Sequence, residues 1–131
     1  MLNASRPLSP HLQVYRFMYT MATSILHRAT GIVLSLSLLL LALWLVALAS
    51  GPDTYDAVIA VYASPVGLIV LAGALAAFWY HTCAGIRHLF WDSGIGINKA
   101  AARASARLII ATTVVLTLLS VWVLFARGVQ S

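Results

Sequence analysis

The sequence predicts an all-α membrane protein with three transmembrane helices. Composition carries the first half of this reading. Of 131 residues, 62% are hydrophobic and only 8% charged, with a mean hydropathy of +0.95; an average globular domain carries about 25% charge. A soluble domain of this size must show mostly polar side chains to water, and these charges are too few. An ordinary soluble enzyme and a disordered tail are excluded. The basic residues are too sparse to form a stripe for nucleic acid, even with a pI near 10.0. The second half comes from where the charges are missing. Three long charge-free stretches run from Ala29 to Pro52, Ala57 to Ile86 and Leu108 to Ala126.

A spanning helix needs about 20 mostly apolar residues, so these stretches predict spans near 29–50, 63–86 and 106–127. The first has the continuous core IVLSLSLLLLALWLVALA and is stopped by Gly51-Pro52-Asp53. The second carries His81 within it. The third follows a loop containing Gly94-Ile95-Gly96. The runs are continuous rather than alternating, which excludes barrel strands. Ala47-Leu48-Ala49 resembles a signal cleavage site, but the apolar run is too long and begins too late for a signal peptide. The start of the chain is not rich in Arg and Ser like a transit peptide, so a bacterial chain or a processed one is expected. The chain thus divides into a cytoplasmic or interfacial N-terminal segment, 1–28, and a three-helix transmembrane domain, 29–131.

Lys and Arg set the expected orientation. Arg6, Arg16 and Arg28 precede the first span, and Arg87, Lys99, Arg103 and Arg107 lie between the second and third. The first loop has only Asp53 and Asp56, and the C-terminal tail only Arg127. The N-terminus is therefore expected in the cytoplasm and the C-terminus in the periplasm. The single Cys83 excludes a disulfide framework and a Cys-x-x-Cys-His haem attachment site, and reads as a small buried apolar residue.

Ionisable residues at the edge of a span are costly and so are the first functional candidates. One cluster is Ser24, His27 and Arg28, where Ser24 and Arg28 share a helical face four residues apart. Gly31 and Ser35 continue from His27 at four-residue steps. The other runs from Tyr80-His81 through Arg87-His88 to Trp91-Asp92. His81 lies inside the span, in line with Gly73, Ala77 and Gly85, a stripe small enough for a flat macrocycle. Imidazole is a standard axial ligand for haem iron, and a packing or proton-relay role is the alternative. A haem with two imidazole ligands needs two histidines at span depth; His27 and His88 are interfacial, and His11 lies in the N-terminal segment. Three helices are also one short of a four-helix bundle. If haem binds, the second ligand comes from another chain.

Two motifs add a resemblance. The first is Arg6-Pro7-Leu8-Ser9-Pro10-His11-Leu12, then Tyr15, then Ser24-Ile25-Leu26-His27-Arg28-Ala29-Thr30-Gly31. The second is His81-x-x-x-Gly85-Ile86-Arg87-His88-Leu89, then Trp91-Asp92-x-Gly94. In this order they resemble the cytochrome b556 subunits of succinate dehydrogenase, the larger membrane anchors of respiratory complex II, over nearly the whole chain. The resemblance implies a haem-binding helical bundle formed with a second, smaller anchor subunit. It implies haem b with His81 as axial ligand to the iron, the other ligand coming from that subunit, and His27, Arg28 and His88 on the propionate side. It implies ubiquinone at Ser24 and Arg28, beside an iron–sulfur subunit that a flavoprotein subunit supplies with electrons. Residues 1–23, with Pro7, Pro10, His11, Tyr15 and Tyr19, then form a strap under the iron–sulfur subunit. Asp92 reads as a partner for Arg87 or His88, with proton delivery from the cytoplasmic face as the alternative. The chain alone is expected to catalyse nothing. The competing readings are a non-redox structural anchor, and a small proton- or ion-conducting subunit using His81 and Asp92. A two-haem anchor is disfavoured, since one chain would need more spans and four histidines at span depth.

Overall fold

The computed structural model describes residues 18–128, so most of the N-terminal segment and its motif lie outside the described residues. Four helices follow one another: α1 (Tyr19–Ser50), α2 (Pro52–Tyr62), α3 (Pro65–Asp92) and α4 (Lys99–Gly128). Three stretches, Tyr19–Ser50, Pro65–Asp92 and Lys99–Arg127, are long and apolar enough to cross a membrane. The all-α, three-span reading holds.

α1 begins well before the first apolar run because nothing from Tyr19 onward breaks a helix. It therefore carries Ser24, His27 and Arg28 on the same continuous helix as the span. Its covered residues recur at helical spacing, from Thr23 through His27, Thr30, Leu34, Ser37 and Trp44 to Ala47. The helix ends where Gly51 takes a φ of 106°, a conformation that favours glycine. Pro52 then opens α2 and Asp53 sits in its first turn, where a fixed φ and a negative charge both suit a helix start.

α2 is the element the sequence did not announce. The loop expected between the first two spans is helical. The Tyr62 hydroxyl, at the far end of α2, donates to the Leu40 carbonyl at 2.6 Å, so α2 folds back alongside α1. α2 and α3 thus descend as one leg with a bend at Ala63-Ser64-Pro65. Pro65 has no N–H for the preceding turn. The Ser64 hydroxyl instead donates to the Val61 carbonyl at 2.6 Å and accepts the Gly67 N–H at 3.1 Å, capping α3. Gly67 has no room for a side chain: a Cβ there would collide with the Val61 carbonyl and lie 2.6 Å from the Tyr62 carbonyl.

α3 is the central helix, packed on α1 along one face and on α4 along another. Small residues allow the approach: Ala77 and Ala84 on α3, Ala102 and Ala106 on α4 are all buried. Tyr80, Ala84 and Ile109 form the core cluster, with Cys83 against it. The Trp79 indole donates to the Ser120 hydroxyl at 3.0 Å, a further tie between α3 and α4. The turn between them uses Gly94 and Gly96 at φ of 78° and 77°, and Asn98 caps the first turn of α4 through the Ala101 N–H at 2.8 Å. The outer faces are largely apolar, with Leu36, Leu39, Leu118 and Phe125 exposed.

The bend yields a test. Gly67→Ala forces backbone apart at the α2–α3 junction and is expected to destabilise the detergent-solubilised protein by about 1–3 kcal/mol. Thermal unfolding of the variant beside the parent protein checks this; an unchanged midpoint contradicts the account of the bend.

Candidate functional site

Where α1 crosses α3, three imidazoles stack into a column. His27 of α1 lies between His81 and His88 of α3. Its ring centroid is 4.2 Å from that of His81 and 4.8 Å from that of His88, with interplanar angles of 23° and 20°. On α3, seven residues bring two side chains back to nearly the same face, and His27 fills the space between them. The structure thus brings together three of the residues the sequence singled out.

His81 is held by the backbone of α1. Its Nδ1 lies 3.1 Å from the His27 carbonyl and 3.3 Å from the Thr30 hydroxyl. A carbonyl can only accept, so Nδ1 carries a proton, and in the neutral ring Nε2 keeps its lone pair. No residue among those described hydrogen-bonds to that Nε2. Gly31 makes the fit possible, since a Cβ there would come within 3.2 Å of His81 Cε1. The Thr30 hydroxyl in turn donates to the Leu26 or His27 carbonyl, each at 2.9 Å. His88 uses its own Nδ1 to donate to the Ala84 carbonyl at 2.7 Å. His27 Nε2 is buried and has no hydrogen-bond partner among the described residues.

Ser24 and Arg28 stand on successive turns of α1 beside this column, Ser24 half-buried and Arg28 exposed. The Ser24 hydroxyl makes no hydrogen bond among the described residues. Ser35, Ser37 and Ser50 of the same helix each return theirs to the carbonyl four residues back, at 2.8–2.9 Å. The stripe of small residues divides: Gly73 and Gly85 meet open space, whereas Ala77 is covered by this chain.

Arg87 has a different role from the one its neighbours suggested. It is 6% exposed and points between helices. It donates to the Thr23 hydroxyl of α1 at 3.1 Å and to the Ala102 carbonyl of α4 at 3.0 Å, and its guanidinium carbon lies 3.9 Å from the centre of the Trp91 ring. These neutral acceptors and the ring replace the expected pairing with Asp92, which is exposed. The Tyr80 hydroxyl donates to the Thr23 carbonyl at 2.9 Å. Opposite His81, a cavity of about 370 Å³ separates α3 from α4, lined among others by Cys83, Ile86, Phe90 and Ser105.

The match to known proteins decides the family. The model of the succinate dehydrogenase/fumarate reductase transmembrane subunit matches residues 3–120. The chain belongs to this family. It is 44% identical over 121 residues to the succinate dehydrogenase cytochrome b556 subunit of Paracoccus denitrificans, covering 92% of this chain and 93% of that one. It is 37% identical over 119 residues to the subunit of the same name from Rickettsia felis, covering 90% and 91%. It is 36% identical over 115 residues to the mitochondrial succinate dehydrogenase cytochrome b560 subunit of Sus scrofa, covering 86% of this chain and 68% of the relative.

For this member of the transmembrane-subunit family, reading the sequence overlooked Thr23 and gave Thr30 no role. Both lie on the covered stripe of α1, three or four residues from His27, and that spacing was the available signal. Arg87→Leu leaves the Thr23 hydroxyl and Ala102 carbonyl without their donor and is expected to cost about 1–3 kcal/mol. Arg87→Lys should recover little, because one ammonium does not reproduce a planar fork that reaches two helices at once. Thermal denaturation of both variants in detergent tests this; full recovery by Lys counts against the fork.

Proposed function

We propose that this chain is the larger membrane anchor of a succinate:quinone oxidoreductase in the bacterial inner membrane, with its N-terminus in the cytoplasm and C-terminus in the periplasm. It works with a smaller anchor subunit, an iron–sulfur subunit and a flavoprotein subunit. It binds haem b and contributes to the site where ubiquinone is reduced. One observation supports the haem reading above others: His81 is fixed by the His27 carbonyl in the tautomer that leaves Nε2 with its lone pair. A metal-bound histidine is commonly oriented by such a bond from its other nitrogen. Gly85, open on its side-chain side, leaves room for a flat ring system along α3.

In this reading His81 would hold the haem iron through Nε2, and the smaller anchor would supply the second ligand. Haem b, when bound, adds a one-electron carrier at the cytoplasmic end of the bundle. Arg28, His27 and His88 would hold its propionates. A guanidinium suits a carboxylate by charge and geometry. His88 already donates from Nδ1, so it can donate to a propionate from Nε2 only as an imidazolium. At the quinone, the unpaired Ser24 hydroxyl donates to a carbonyl oxygen, and Arg28 stabilises the negative charge that builds there on reduction. The protons come from the cytoplasmic side.

The test uses the purified complex. Ser24→Ala and Arg28→Leu are each expected to lower succinate:ubiquinone reductase activity at least about tenfold, the scale of losing one electrostatic stabiliser. Succinate oxidation with an artificial dye should survive. Parallel loss of both activities assigns the effect to assembly and overturns the quinone site. His81→Ala should abolish the b-type band in the reduced-minus-oxidised spectrum. A parent complex without that band is a non-redox anchor, and ion flux through this chain alone in liposomes would make it a conducting subunit.

A further inference from the structure

Ser24 lies in a turn of α1 that α3 fastens at both ends. At one end, Thr23 receives two bonds from α3. The Tyr80 hydroxyl donates to its carbonyl at 2.9 Å and Arg87 to its hydroxyl at 3.1 Å. At the other end, the His27 carbonyl accepts from His81 at 3.1 Å. Thr23, Tyr80 and Arg87 are 3%, 8% and 6% exposed, so water does not compete for these bonds. Two fixed points one turn apart define both the height and the rotation of α1 against α3. A slip of one residue would turn Ser24 by about 100° about the helix axis.

The Thr23 hydroxyl also affects its neighbour directly. It has one proton, which goes to the Thr20 carbonyl at 2.9 Å, while its lone pair accepts from Arg87. The Thr20 carbonyl is four residues before Ser24, the acceptor that a helical serine ordinarily takes. Thr23 shares that acceptor, and among the described residues the Ser24 hydroxyl makes no hydrogen bond.

We infer that Thr23 is a positioning residue for the quinone and haem sites. Clamped by Tyr80 and Arg87, it fixes the turn that presents Ser24 and that holds His81 through the His27 carbonyl. The inference rests on the quinone and haem assignments above. It adds a residue that touches neither group and a hydrogen-bonded reason for the orientation of both.

The test compares Thr23→Val, which keeps the shape and removes the hydroxyl, with Thr23→Ser, which keeps the hydroxyl, in the whole purified complex. Thr23→Val is expected to raise KM for a short-chain ubiquinone about fivefold, the consequence of an orphaned buried donor. kcat should change less, and dye reduction and haem content should stay at parent levels. The midpoint potential of haem b should shift in the same variant. Thr23→Ser should restore both values. Parent-like KM and potential in Thr23→Val overturn the inference, as does a Thr23→Ser variant equally impaired. Tyr80→Phe removes the other bond to Thr23 and gives a second route should Thr23→Val fail to assemble; unchanged KM and potential there overturn it as well. If Ser24→Ala leaves quinone kinetics untouched while Thr23→Val still moves the haem potential and Thr23→Ser does not, the quinone reading fails and the clamp stands.

Discussion

A buried guanidinium dictates how α1, α3 and α4 meet. Arg87 sits near the end of a membrane-spanning helix, where taking a charge out of water is costly. Its partners must therefore come from the protein, and they come from two other helices: the Thr23 hydroxyl on α1 and the Ala102 carbonyl on α4. The Trp91 ring covers the face of the same group. Apolar side chains give little preference among helix rotations inside a bilayer, because lipid tails are as apolar as leucine. A directional donor that reaches two helices supplies that preference.

The site follows from this junction. Once Thr23 is fixed, α1 presents the His27 carbonyl to His81 one turn further into the membrane, and Gly31 lets the imidazole approach. The ring of His27 then fills the gap between His81 and His88. A β-carbon at Gly31 or a changed rotation of α1 would each disturb the same imidazole. The contacts of the crossing therefore form one hydrogen-bonded unit of small polar residues in a stretch otherwise built mostly of apolar side chains.

Charge scarcity and three uninterrupted apolar runs made the fold class legible, since in a bilayer length and hydropathy nearly determine a span. The candidate site was legible in its residue types: Ser24, His27, Arg28, His81 and His88 stood out because polar groups at a membrane edge are expensive. Two things were not legible. α2 is too short to span, opens on Pro52 and holds Asp53 and Asp56, so in sequence it reads as part of a loop; the Tyr62–Leu40 bond and the bend at Pro65 show that it continues the descending leg. By sequence Arg87 ranks with the loop cations, with Asp92 as an expected partner for it or His88. Sequence gives spacing along one helix, whereas its partners Thr23 and Ala102 lie on helices whose rotation no spacing rule fixes.

The distribution of hydrogen bonds separates scaffold from site. Serines and threonines along α1 mostly satisfy themselves on their own helix, as Ser35, Ser37 and Ser50 do. The Thr113 and Thr117 hydroxyls on α4 are buried without a partner among the described residues, yet each is one side-chain rotation from a carbonyl of its own helix. An imidazole has no such escape. His81 is held through Nδ1, and turning the ring to satisfy Nε2 would break the bond to His27. Among the described residues nothing hydrogen-bonds to Nε2, so the contacts that fix the His81 ring all lie on its Nδ1 side.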